Sequence, residues 1–236
     1  MYIEVAAEPA YSLLEAQWVN EQAKREPRLR GIVAHAPLED GEPVRSHLTA
    51  LKAIGPRIKA VRRVLENEKD DRFCLRPDFV HGVQMLKEFN FLFHICIYHY
   101  QLPGVIELVR QCPAINFVLD HIAKPDIQKG LLEPWRANLR ELASLPNVAC
   151  KISGMVTEAD HGQWTTDDLR PYVEHVIECF GEDRVMFGSD WPVVLMASSY
   201  TRWVETLDEI THGLSDLGQR KLWATNAKRI YSSESD

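Results

Sequence analysis

Short apolar runs rich in β-branched residues alternate along the chain with longer stretches whose apolar positions recur every three or four residues. Continuous short runs suit strands buried on both faces, and the longer period suits helices lying on a sheet, so the alternation predicts βα units and a parallel sheet. Strands are expected at residues 2–6, 31–35, 58–62, 91–97, 115–119, 148–153 and 185–187. Helical patterns lie between them at 10–25, 80–89, 103–111, 134–145 and 166–180, with two more at 200–210 and 215–231. In the first of these helices Leu13, Leu14, Trp18 and Val19 are expected on one side. Proline marks helix starts at Pro9, Pro43, Pro77, Pro103 and Pro134, where its missing N–H removes no intrahelical bond.

Seven parallel strands, each followed by helical sequence, are one short of the eight that close a (β/α)8 barrel. A doubly wound sheet competes with that reading. Neither G-x-G-x-x-G nor G-x-x-x-x-G-K-[ST] occurs in the chain, and the barrel is favoured. No low-complexity linker divides the 236 residues, so one domain over 1–236 is expected.

Composition narrows the partner. A formal net charge of -7 gives no basic footprint for nucleic acid or an anionic membrane. No apolar run reaches the length of a membrane helix, and MYIEVAAEPA lacks the basic start and long apolar core of a signal peptide. A cytoplasmic protein acting on a small molecule is expected. Cys74, Cys96, Cys112, Cys150 and Cys179 include no C-x-x-C pair and read as reduced thiols.

In a barrel the chemistry gathers at the C-terminal ends of the strands. Most of the predicted strands end in groups able to do chemistry: the stretch from Glu4 to Glu8, His35, Arg62 with Arg63, Tyr98 with His99, Asp120 with His121, Lys151, and Asp190. Neighbours on a strand face opposite ways, so one of Arg62 and Arg63 is expected to pair with the acids of VLENEKDD and the other to point into the barrel. His94, inside its strand, reads as a satisfied core histidine, and His99, at the end, as the functional one. Lys151 in VACKISG is placed to neutralise a carboxylate or a developing oxyanion. Trp191 and Tyr98 offer apolar stacking surface or simple packing. In FVLDHIAKP and MFGSDWPV, His121 and Asp190 close two different strands. Such a pair suits either a metal that activates water or a metal-free acid and base acting on a polarised carbonyl.

FVLDHIAKP, VACKISGMVTEADH, RVMFGSDWPV and AVRRVLENEKDDRFCLRPDF, in their order and spacing, resemble the amidohydrolase 2 family, in its group of L-fuconolactone hydrolase-like and 2-pyrone-4,6-dicarboxylate hydrolase-like lactonases. The resemblance covers essentially the whole chain. It implies a (β/α)8 barrel that hydrolyses a sugar lactone or related cyclic ester. Asp190 would be general base or metal ligand, His121 would share its site, and Arg62, Arg63, Tyr98, His99, Lys151 and Trp191 would contact substrate. It implies either one divalent metal, zinc or manganese, on Glu4, His121 and Asp190, or a metal-free mechanism. Family members open on a strand ending in His-x-His. No His-x-His occurs here, and Met1-Tyr-Ile-Glu-Val resembles the family's second strand, so the expected barrel begins one strand short, with open edges that invite a second copy. Two alternatives stand beside the lactonase: a metal-dependent decarboxylase of an aromatic or unsaturated acid, and a degenerate homologue that binds sugar acids without turnover.

Overall fold

A computed structural model describes residues 1–4 and 8–232. The chain falls into two compact units, one made of Met1–Cys96, Gly104–Val118 and Tyr231 onward, the other of Ile97–Pro103 and Leu119–Ile230. All seven expected strands form: β1 (Tyr2–Ile3), β2 (Ile32–His35), β3 (Ile58–Val64), β4 (Leu92–Cys96), β5 (Phe117–Leu119), β6 (Val148–Ile152) and β7 (Val185–Phe187). Val5 and Ala6, the end of the expected first strand, lie outside the described residues. The strands follow chain order in one sheet, β1 to β7, which is the order that βα repeats generate.

In the first unit β1 to β4 pair in parallel, with His35 beside Arg62 and Arg62 beside His94. α1 (Ser12–Arg25), α2 (Val44–Ile54) and α3 (Pro77–Phe89) belong to this unit. Its core carries an edge-to-face run of rings from Phe73 through Phe79 and Phe93 to Phe117, with centroids 5.7–6.0 Å apart. α2 was marked in the sequence only by Pro43. Its buried Val44, Leu48 and Leu51 form a stripe at helical spacing. The face expected of α1 is corrected. The helix buries Ser12, Ala16, Val19, Asn20 and Ala23, while Leu14 and Trp18 are exposed. Alanine lets the helix approach closely, and Asn20 Nδ2 donates to Ile54 O at 3.1 Å, so a small and partly polar stripe packs where the larger apolar residues do not. His94 is fully buried, as a core histidine should be: Nε2 meets the Tyr231 hydroxyl at 2.8 Å and the two rings stack.

In the second unit β6 and β7 pair in parallel, Cys150 with Val185 through Ile152 with Phe187. α5 (Trp135–Ala143), α6 (Thr166–Phe180) and α7 (Tyr200–Thr211) follow the expected pattern. Thr165 and Asp168 form a capping box at the start of α6, which satisfies amides that the helix leaves open. The helix expected at 215–231 is interrupted: α8 (Asp216–Arg220) passes through a π-turn at Lys221–Thr225 into α9 (Asn226–Tyr231). At the break Asn226 Nδ2 donates to Glu182 O at 2.6 Å and to Val185 O at 2.7 Å, which ties the helix to the start of β7. α4 (Leu102–Gln111) contributes residues to both units.

Candidate active site

The chain leaves β5 through a turn that L-residues rarely adopt. His121, Ile122, Ala123 and Lys124 all have positive φ, from 43° to 62°. A left-handed residue costs about 1–2 kcal/mol, and a β-branched one such as Ile122 is especially disfavoured, so neighbours must hold the turn in place. They do so from both sides. Trp135 Nε1 donates to Ile122 O at 2.8 Å, and the Lys124 amide donates to His121 O at 2.8 Å. Ile122 and Ala123 are fully buried.

The turn sets the His121 imidazole against two groups from other strand ends. Nδ1 stands 3.0 Å from Ser153 Oγ, just past β6, and 3.7 Å from Asp190 Oδ1, beyond β7. The second distance is an ion-pair approach and too long for a hydrogen bond. Asp190 is itself left-handed, φ 54°, in a turn whose next peptide, Trp191–Pro192, is cis. Aspartate tolerates this region better than most side chains. The Asp190 carbonyl accepts the amide of Val194, which closes the turn. Both side chains are mostly buried, at 12% and 13% exposure, yet neither is sealed from solvent.

The same strand ends also carry a buried ion pair. Lys151 Nζ donates to Asp120 Oδ1 at 2.5 Å, with 7% of the lysine and none of the carboxylate side chain exposed. Of the two roles open to Lys151 in the sequence, the structure displays the neutralised carboxylate.

Two glycines leave the space these side chains occupy. A Cβ on Gly154 would sit 2.5 Å from His121 Nδ1, and one on Gly188 would sit 2.7 Å from Lys151 Cδ and from Ser153 Cβ. Gly154 also has φ 62°. Gly154→Ala is therefore expected to lower stability by about 1–2 kcal/mol from the backbone alone and to displace the His121 ring. Urea melts and the ring resonances of His121 check this. A variant that melts like the parent with an unmoved His121 signal would show that the turn yields at no cost.

The other predicted groups are placed as follows. Glu4 and Arg62 belong to the first unit and hold each other: Arg62 Nε donates to Glu4 Oε1 at 2.6 Å, and Nη2 donates to Glu4 O. Arg63 turns the opposite way, as strand alternation requires, and donates to Glu39 Oε1 at 2.7 Å and to Glu68 Oε1 at 2.6 Å. Glu68 is one of the acids of VLENEKDD. Burial holds the His35 imidazole below its ordinary range, and its carbonyl accepts from His47 Nε2 at 3.0 Å. In the second unit Tyr98 stacks on Tyr100 and lies under the Lys124 ammonium, 5.2 Å from the ring centre. His99 keeps a buried Nδ1 with no hydrogen-bond partner among the described residues, and burial lowers its pKa. Trp191 is 65% exposed. Tyr98, His99 and Lys124 line a cavity of about 580 Å³ with residues of the 126–128 and 157–162 loops.

His121 and Asp190 thus come together, with Ser153 beside them, while Glu4 is engaged by Arg62. For the metal that the sequence implies, an imidazole and a carboxylate are donor types zinc accepts, and a hydroxyl on the second imidazole position is the kind of outer partner that orients such a ligand. The donor chemistry of the pair fits. Sequence reasoning passed over Ser153, Gly154 and Gly188, although the Gly after KIS was a readable sign of close approach by a neighbour.

A parallel sheet in chain order is the topology of an incomplete βα barrel, and the family follows from the sequence: the chain belongs to the amidohydrolase family, whose model matches residues 5–232. It is 37% identical over 198 residues to an L-fucono-1,5-lactonase of Burkholderia multivorans, a match spanning 75% of this chain and 64% of that protein's length. An L-rhamnono-gamma-lactonase of Scheffersomyces stipitis is 22% identical over 249 residues, 93% of this chain and 74% of that protein. A crystal structure of an amidohydrolase from Burkholderia multivorans with bound zinc matches with a TM-score of 0.88 at 32% identity, covering 97% of this chain and 81% of that one.

Proposed function

We propose that this chain hydrolyses a sugar lactone to the open aldonic acid. The observation that carries the reading is the approach of His121 to Asp190, 3.7 Å apart at the ends of different strands, in a chain whose relatives include sugar lactonases. Asp190 takes a proton from water, the water oxygen bonds to the lactone carbonyl carbon, and the ring C–O bond then breaks, with a proton passing to the released alkoxide. His121, oriented through Nδ1 by Ser153, holds the water in line with the carboxylate. Lys151 keeps Asp120 neutralised and the β5 and β6 ends in place. A divalent ion held by His121 and Asp190 would add Lewis-acid charge that makes water easier to ionise.

The test is a panel of aldonolactones with a pH indicator that reports acid release, on the chain alone, with zinc, and with manganese. Stoichiometric acid release from at least one lactone is expected, with the rate falling on the acid side as the base is protonated. A folded sample that releases no acid from any lactone under any of the three conditions overturns the reading.

A further inference from the structure

The cavity of the second unit, about 580 Å³, is within the range of small-molecule sites, roughly 300–1,000 Å³. Neither His121 nor Asp190 lines it, yet its walls bond to His121 and to a residue that packs on the His121 ring. The Lys124 amide donates to His121 O, and the Thr157 hydroxyl donates at 3.3 Å to the carbonyl of Gly154, whose Cα packs on the His121 ring. The cavity walls are therefore tied by hydrogen bonds to the turn that carries His121 and to its neighbour Gly154.

Its lining is polar and unbalanced in charge. Three carboxylates, Asp126, Glu158 and Asp160, stand against one ammonium, Lys124. A second ammonium, Lys129, pairs with Asp126 at 2.8 Å from outside the lining, so even the wider group carries an excess of negative charge. The remaining polar groups are donors and acceptors suited to hydroxyls. His161 Nε2 bonds to Thr157 O at 2.9 Å, which leaves its other nitrogen for a ligand.

Resting on the lactone reading, we infer that this cavity selects by charge: it admits a neutral polyhydroxylated ring and disfavours the same molecule once it carries a carboxylate. A sugar lactone is neutral and its hydrolysis product is an anion, so the excess carboxylates bind substrate in preference to product and hasten release. The same excess disfavours lactones that carry ring carboxylates. Coulomb interaction at such a partly solvated site is modest but one-directional, and salt screens it.

The experiment is equilibrium binding by calorimetry of galactitol and of galactonate, a neutral and an anionic polyol of one chain length. In the parent chain at low salt, galactitol is expected to bind about five- to tenfold more tightly, with the ratio falling towards one in about 1 M salt, where the Debye length is about 3 Å. In Glu158→Gln/Asp160→Asn the ratio is expected to move about tenfold towards galactonate. Tighter binding of galactonate by the parent, a salt-independent ratio, a ratio that the double variant leaves in place, or no binding of either polyol overturns the inference. The salt series needs no variant and stands if the double variant fails to fold. Binding requires no turnover, so the two readings fail separately. The expected ratio in a chain that hydrolyses no lactone removes the proposed function alone, and lactone hydrolysis with equal polyol binding removes the charge selection alone.

Discussion

Asp190→Asn is expected to lower kcat/KM on the best aldonolactone by about 10²–10⁴-fold, the usual contribution of a positioned general base. Asparagine has nearly the size of aspartate and shares its tolerance for the left-handed backbone found here, φ 54°, so the turn through Trp191 and Pro192 should survive the change. What it removes is the negative charge that can take a proton. The melt should therefore move little while the rate collapses, and the acid-side fall in rate should disappear from whatever activity remains. His121→Gln should cost a comparable amount, and the double variant little more than either single one, because two groups that handle one water act as a unit. Near-normal turnover by Asp190→Asn would remove Asp190 from the role of base, and additive losses would show that His121 works on a different step.

The strands were legible because each is a continuous apolar run, and the candidate groups were legible because an ionisable side chain seldom closes such a run without reason. Arg62 and Arg63 show how far strand alternation alone can go: it separated a residue that meets Glu68 from one that faces the other side. It could not find the partner of Arg62, since Glu4 lies 58 residues earlier and only the folded sheet brings the two together. The left-handed turn from His121 to Lys124 was invisible for a local reason. It contains no glycine, and the contacts that hold it, such as the Trp135 indole, come from later in the chain. Ser153 in KISG reads as an ordinary turn residue; its link to His121 needs both strand ends in place. Of the four apolar residues expected on the packed face of α1 only Val19 is buried, and alanine with asparagine completes that face.

Lys151→Met should be among the most destabilising single changes in the second unit. The Asp120 side chain is fully buried and Lys151 nearly so, with the ammonium 2.5 Å from the carboxylate. Removing one partner of a buried ion pair takes the counter-ion from a charge in a poorly solvated place, which costs about 3–5 kcal/mol. Natural domains have only about 5–15 kcal/mol in total, so much of the stability is at stake. An exposed pair gives the contrast: Lys129→Met, which breaks the Lys129–Asp126 pair at 2.8 Å, should cost less than about 1 kcal/mol. Adding Asp120→Leu to Lys151→Met should restore most of the loss, because the buried carboxylate goes with it. The loss should also reach the candidate site. Lys151 and Ser153 point to the same side of the β6 end, where both press on Gly188, so a lysine stem that is no longer anchored frees Ser153 and with it the orientation of His121. The double variant is thus expected to melt near the parent and still turn over several-fold more slowly. Chemical melts and lactone kinetics on the four proteins decide the matter. A Lys151→Met variant as stable as Lys129→Met would mean that water reaches Asp120, and full activity in the double variant would mean that Ser153 keeps its place without the ion pair.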